Sequence, residues 1–152
     1  MSLFARRTSI QRAIFLVLAY ISIGQASADQ QVTLAVNGHK ITATVAKTFA
    51  QREKGLMNCR NMARDEGMLF VFPRAAHHSM WMKDTLIPLD VAFIDKNGSI
   101  INIEKMAALS LDQHTAQKLA KYALEMNAGW FHGHGAKAGD VVQGLGRAGE
   151  GS

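Results

Sequence analysis

Most of the residues able to do chemistry fall in one stretch: His77-His78-Ser79-Met80-Trp81-Met82-Lys83-Asp84-Thr85-Leu86-Ile87-Pro88-Leu89-Asp90. In an extended backbone successive side chains point to opposite faces, so His77, Ser79, Trp81 and Lys83 share one face and His78, Met80, Met82 and Asp84 the other. The second face offers an imidazole and two thioethers at alternate positions, a soft donor set suited to Cu(I). Core packing competes with that reading, because methionine commonly fills apolar interiors. Lys83, Asp84, Asp90 and the more distant Glu125 form a second constellation, in which carboxylates near an amine could act as acid and base or grip a polar ligand. For Asp90 a structural role is the stronger expectation, since an acid opening an apolar strand after Pro88 commonly accepts backbone N–H bonds. Glu125 alternates with Tyr122, Leu124 and Met126, which places it on the other face of its strand, exposed or lining a pocket.

Two further groups carry weaker signals. Cys59 is the single cysteine, so an intramolecular disulfide and the CxxC and zinc-finger spacings are excluded. A buried, inert thiol is the favoured reading, and a reactive thiolate favoured by the neighbouring Arg60 is the other. His132-Gly133-His134 puts two imidazoles in a glycine-rich turn without a third ligand nearby, which fits only weak binding of a divalent metal. No phosphate loop, GxSxG elbow, HExxH helix or dinucleotide fingerprint occurs, so the common NTPase, hydrolase and dehydrogenase templates have no support.

The chain has 152 residues, 48% of them hydrophobic and 19% charged, the composition of one folded domain. Arg6, Arg7 and Arg12 precede an apolar run from Ala13 to Gly24 and the small triplet Ala26-Ser27-Ala28, the order of a secretory signal peptide cleaved after Ala28. The run is too short to span a bilayer as a helix, so membrane attachment is expected only through an uncleaved leader. The formal net charge of +5 loses the three leader arginines on cleavage, leaving 14 basic against 12 acidic residues. That balance lacks the concentrated basic patch that nucleic-acid binding requires, and no nucleic-acid partner is expected. The expected compartment is periplasmic or secreted.

The elements that must position these residues are short. Val32–Val36 and Lys40–Ala46 alternate around Asn37-Gly38, a hairpin signal. Thr48, with Gln51 three residues on, predicts a capped helix stopping at Gly55. Met68–Phe72 reads as a buried strand closed by Pro73, and Leu89–Asp95 with Ser99–Met106 as a hairpin about Lys96-Asn97-Gly98. Ser110–Lys121 reads as a loop with a helical turn, Tyr122–Met126 as a strand, Ala128–Phe131 as a short helical turn and Val141–Leu145 as a last strand. These predict an α+β fold: a mainly antiparallel β-sheet, barrel-like, with one or two short helices. The domain is expected over residues 29–145, with a flexible tail over 146–152.

Gly55-Leu56-Met57, Gly67-Met68-Leu69-Phe70-Val71-Phe72, the run Trp81 to Asp95, Leu124-Glu125, Asn127-Ala128-Gly129 and Gly139-Asp140 stand in the order of one family's motifs. Over about residues 32–143 the chain resembles the domain of unknown function 192 family. The resemblance implies a small, sheet-dominated α+β domain, often exported, without an assigned activity, whose signature polar residues fall here on Lys83, Asp84, Thr85 and Asp90, with Trp81 and Met82 beside them. Asp84 stands where the family more often has Asn, and His132-Gly133-His134 lies outside the pattern.

The leading expectation is therefore an exported, monomeric binding or accessory domain. Trp81, Lys83, Asp84, Thr85, Asp90 and Glu125 would form its groove for a small ligand, peptide or glycan, with no cofactor. One alternative is a periplasmic Cu(I)-binding protein using His78, Met80 and Met82. The other is a hydrolase or lyase using Lys83 and the nearby carboxylates. No motif singles out an enzymatic role over a binding one.

Overall fold

The structure is a computed structural model that describes residues 29–152, so the expected leader lies outside the described residues. Strands β1 (Gln31–Val36) and β2 (His39–Ala46) pair antiparallel through Asn37 and Gly38, whose φ angles of 49° and 81° supply the left-handed pair that a tight primed turn requires. The helix α1 (Phe49–Lys54) starts at the expected reciprocal cap: Gln51 N–H donates to Thr48 Oγ1 and Thr48 N–H donates back to Gln51 Oε1. It buries no residue of its own, so the cap and the Arg52 side chain hold it to the sheet.

Strand β3 (Glu66–Ala76) returns parallel to β2, and α1 lies within that crossover. Strands β5 (Leu89–Ile94), β6 (Ile100–Met106) and β8 (Ala120–Asn127) complete a six-stranded sheet in the order β1-β2-β3-β8-β5-β6. Strands β4 (Ser79–Met80) and β7 (His114–Thr115) form a separate small ribbon. The α+β class and the mainly antiparallel sheet are as expected, with β2–β3 the one parallel pairing in the six-stranded sheet, and that sheet is open where a barrel-like one was anticipated.

The reason lies in the last segment. Val141 and Gln143 make only single bridges, to Ser99 beside β6 and to Ala35 of β1, and then Gly144 at φ 91° turns the chain into a 3-10 turn over Leu145–Ala148. The expected final strand therefore ties the two sheet edges together without becoming a ladder. Two other expectations change. β3 runs on past Pro73, with a register irregularity between Val71 and Ala76 accommodating the residue that has no N–H. The 110–121 stretch holds β7 where a helical turn was anticipated, and Asn102 fastens it by donating to Thr115 O and accepting from Gln117 N–H.

Both sheet faces are buried. Ala92, Ile94, Leu124 and Met126 meet Trp130 and Phe131 of α2 (Trp130–Gly133) in one cluster, while Phe70, Val91, Phe93 and Ala123 join Met80 and Met82 in the other. Every residue of β5 is buried, which is why it reads as an unbroken apolar run. The C-terminal stretch that composition reads as a free tail carries contacts: Ala148 is buried, Ser152 N–H donates to Lys47 O, and Glu150 pairs with Lys121 at 3.1 Å.

Candidate binding site

A cavity of about 30 Å³ opens between α1 with Gly55–Met57 on one side and the 80–85 loop on the other, with Phe70 and Glu125 also lining it. The loop is shaped by backbone bonds: Met82 N–H donates to Ser110 O, Thr85 N–H to Met82 O, and Leu109 N–H to Thr85 O, at 3.0, 3.1 and 3.0 Å. Asn58 N–H donates to Asp84 O at 2.8 Å and ties the two walls together. Asp84 sits at φ 55°, a left-handed position that Asn and Asp tolerate best among residues with a side chain. Thr85 is buried and donates to Lys83 O at 3.3 Å. The Lys83 ammonium stands 5.6 Å from the centre of the half-exposed Trp81 ring, within reach of a cation–π contact.

Glu125 is the unusual group. It lies on β8 between Met68 of β3 and Val91 of β5, and only 3% of it is exposed. Among the described residues no side chain or backbone group hydrogen-bonds its carboxyl. Burial disfavours the charged form, and the pKa is pushed up to about 8. At neutral pH the cavity is therefore lined by a protonated acid, which is a hydrogen-bond donor.

The structure brings Trp81, Lys83, Thr85 and Glu125 onto one cavity and leaves Asp84 and Asp90 off it. Asp90 points through the opposite sheet face, where its Oδ2 accepts Gly129 N–H at 2.8 Å and its Oδ1 is buried without a partner. Arg52 and Lys54 also line the cavity, and sequence reasoning missed both. Their only signal was membership of a short capped helix. Arg52 donates to Val71 O at 3.1 Å, to Ser152 O at 2.8 Å and to Lys47 O, and partial burial lowers its pKa from the usual value.

The proposed soft-metal donors part company. Met82 is fully buried and Met80 nearly so, both within the apolar cluster, and Met80 also reaches the cavity lining. His78 stacks on Phe72 at 3.6 Å, and its Nε2–H donates to Arg74 O at 2.9 Å. Cys59 is half-buried in a different hollow and donates to Asn61 O at 3.1 Å. His134 stacks on Trp130 and donates from Nδ1 to Trp130 O at 2.7 Å, while His132 is exposed. No group of three His, Cys, Asp or Glu residues converges as a metal site among the described residues.

A small mixed-sheet domain with a cavity lined by Glu125 is the class these features define. The family model DUF192, described as "Uncharacterized ACR", matches residues 32–144, and the chain belongs to that family. Two solved structures are similar over most of the chain. A Sinorhizobium meliloti 1021 protein described as a candidate transcription regulator is 36% identical, with a TM-score of 0.75 over 78% of this chain and 97% of that one. A protein of unknown function from Novosphingobium aromaticivorans DSM 12444 is 30% identical, with a TM-score of 0.74 over 78% of this chain and 89% of that one. No curated protein matches the chain.

Proposed function

We propose that the chain is an exported small-molecule-binding domain whose ligand enters the cavity between α1 and the 80–85 loop. The observation that carries this reading is Glu125, 3% exposed and lining the cavity, whose carboxyl no group among the described residues hydrogen-bonds. An acid this far removed from solvent is disfavoured in its charged form and calls for a hydrogen-bond partner, which a ligand or water in the cavity can supply. Trp81 and Lys83 on the rim and Thr85 behind them supply contact area and charge from a loop held on a rigid sheet. The groove is narrower than the residue pattern alone implies, because Asp90 serves the backbone on the other face. Export rests on the leader pattern in residues 1–28.

A second reading draws on the same group. An acid titrating near neutrality is poised as a proton donor, which would suit a lyase or hydrolase with Lys83 nearby. Binding is preferred because the lining offers no paired nucleophile and base. The regulator description of the Sinorhizobium relative, carried to this chain, calls for a basic surface that the 14 basic against 12 acidic residues left on leader removal would not favour.

A fragment screen by two-dimensional amide NMR tests the proposal. Binders should move the Trp81 indole and Thr85 amide signals, and Glu125→Leu should remove the response while the spectrum stays folded. Binders that act only elsewhere would end the reading.

A further inference from the structure

We infer that the cavity receives the carboxylate end of a small organic acid, held by the Glu125 carboxyl O–H and the Lys83 ammonium. This deepens the binding reading above and rests on it. Size comes first: about 30 Å³ is room for about two waters, so a head group fits and a sugar ring or nucleotide does not.

Charge comes second. Around Glu125 the strand neighbours are apolar, Met68 and Phe70 from β3 and Val91 from β5. The charged lining is Arg52, Glu53 and Lys54 from α1 and Lys83 from the loop, so cations outnumber the single other acid. Arg52 is committed to carbonyls, which leaves the exposed Lys54 and Lys83 to meet an incoming anion. α1 turns its C-terminal end toward the cavity, and Arg52 and Lys54 in its last turn offset the partial negative charge there.

Hydrogen-bond polarity comes third. A protonated carboxyl donates to a carboxylate through a short, charge-assisted O–H···O bond, whereas an amine ligand could use only the carbonyl oxygen of Glu125 and would bring a further cation into a lining that already holds Arg52, Lys54 and Lys83. The half-exposed Trp81 ring at the mouth, with exposed Leu86 and Leu109 flanking Thr85 in the loop, suits a short alkyl chain behind the head group.

The experiment titrates the purified protein with sodium butyrate, 1-butanol and butylammonium, following the Trp81 indole and Thr85 amide signals at about pH 6.5 and about pH 9.5. Butyrate is expected to bind best and to weaken at least about tenfold at the higher pH, as Glu125 loses its proton. Glu125→Gln keeps an N–H donor and cannot ionise, so it should bind butyrate with that pH dependence largely removed. Lys83→Ala should weaken butyrate several-fold at the lower pH. Tighter binding of butylammonium or butanol than of butyrate, or an undiminished pH dependence in Glu125→Gln, overturns the carboxylate inference and leaves the cavity as a binding site. Silence from all three probes overturns both.

Discussion

Asp90 and Glu125 lie on adjacent strands yet point through opposite faces of the sheet, because Asp90 pairs with Met126 and Val91 with Glu125 in the β5–β8 ladder. One carboxylate is therefore bound to backbone on the α2 side, and the other faces the cavity. The two acids should respond differently to substitution.

Glu125 should make stability pH-dependent. Its pKa is near 4.5 unfolded and raised to about 8 in the fold, so the folded state holds the extra proton between those values. Stability is then highest below about pH 4.5 as far as this group is concerned, and falls by a few kcal/mol, as an order of magnitude, as pH rises to about 8. Urea unfolding across that range should show the decline in the native protein and lose much of it in Glu125→Gln.

Asp90→Ala leaves Gly129 N–H without its acceptor and should cost roughly 1–3 kcal/mol in urea unfolding. Asp90→Asn retains a carbonyl acceptor for that bond and should cost less. Neither change should alter ligand response at the Trp81 indole. A loss of binding in a folded Asp90→Asn protein would put the acid back in the site.

Gly67→Ala should destabilise by about 1–3 kcal/mol and disturb Glu125, because an added Cβ would stand 2.5 Å from Glu125 O and would also meet the Met126 sulfur. Thermal unfolding reads the first effect and the Glu125 amide shift the second. Unchanged stability would mean that β3 and β8 separate more easily than their close approach implies.

Arg52→Ala removes donors to Lys47 O, Val71 O and Ser152 O together. Hydrogen exchange at Ser152 should quicken several-fold, since its N–H is bonded to Lys47 O beside the same side chain. Unaltered exchange there would show that Ala148 and the Lys121–Glu150 pair suffice to hold the end of the chain.

Local signals in the sequence translated directly. Asn37-Gly38 became the tight turn, Thr48 with Gln51 became the helix cap, and the Leu89–Asp95 run became a strand buried on both faces. What did not translate depends on distant pairing. The parallel contact of β2 with β3 joins residues whose patterns do not refer to each other, and it is what makes the sheet mixed. The face of Asp90 relative to Glu125 depends on the β5–β8 register, which no short motif encodes. Glu125 looked solvent-facing or pocket-lining because its strand alternates, but loops covering the second face turned that position into the wall of a cavity. Arg52 carried no motif and became a clamp only when the chain end returned to it.

The segment after Gly139 has a bearing on solution behaviour. Its groups exchange bonds with Ala35 on one outer strand, and with Gly98 and Ile100 on the other side, at 2.8–3.2 Å. Outer strands with unpaired amides and carbonyls are templates for stacking between copies, the route by which sheet proteins aggregate into fibrils. Here the chain's own last residues occupy part of both templates, so shortening the protein before Gly139 would turn a well-behaved domain into one prone to self-association.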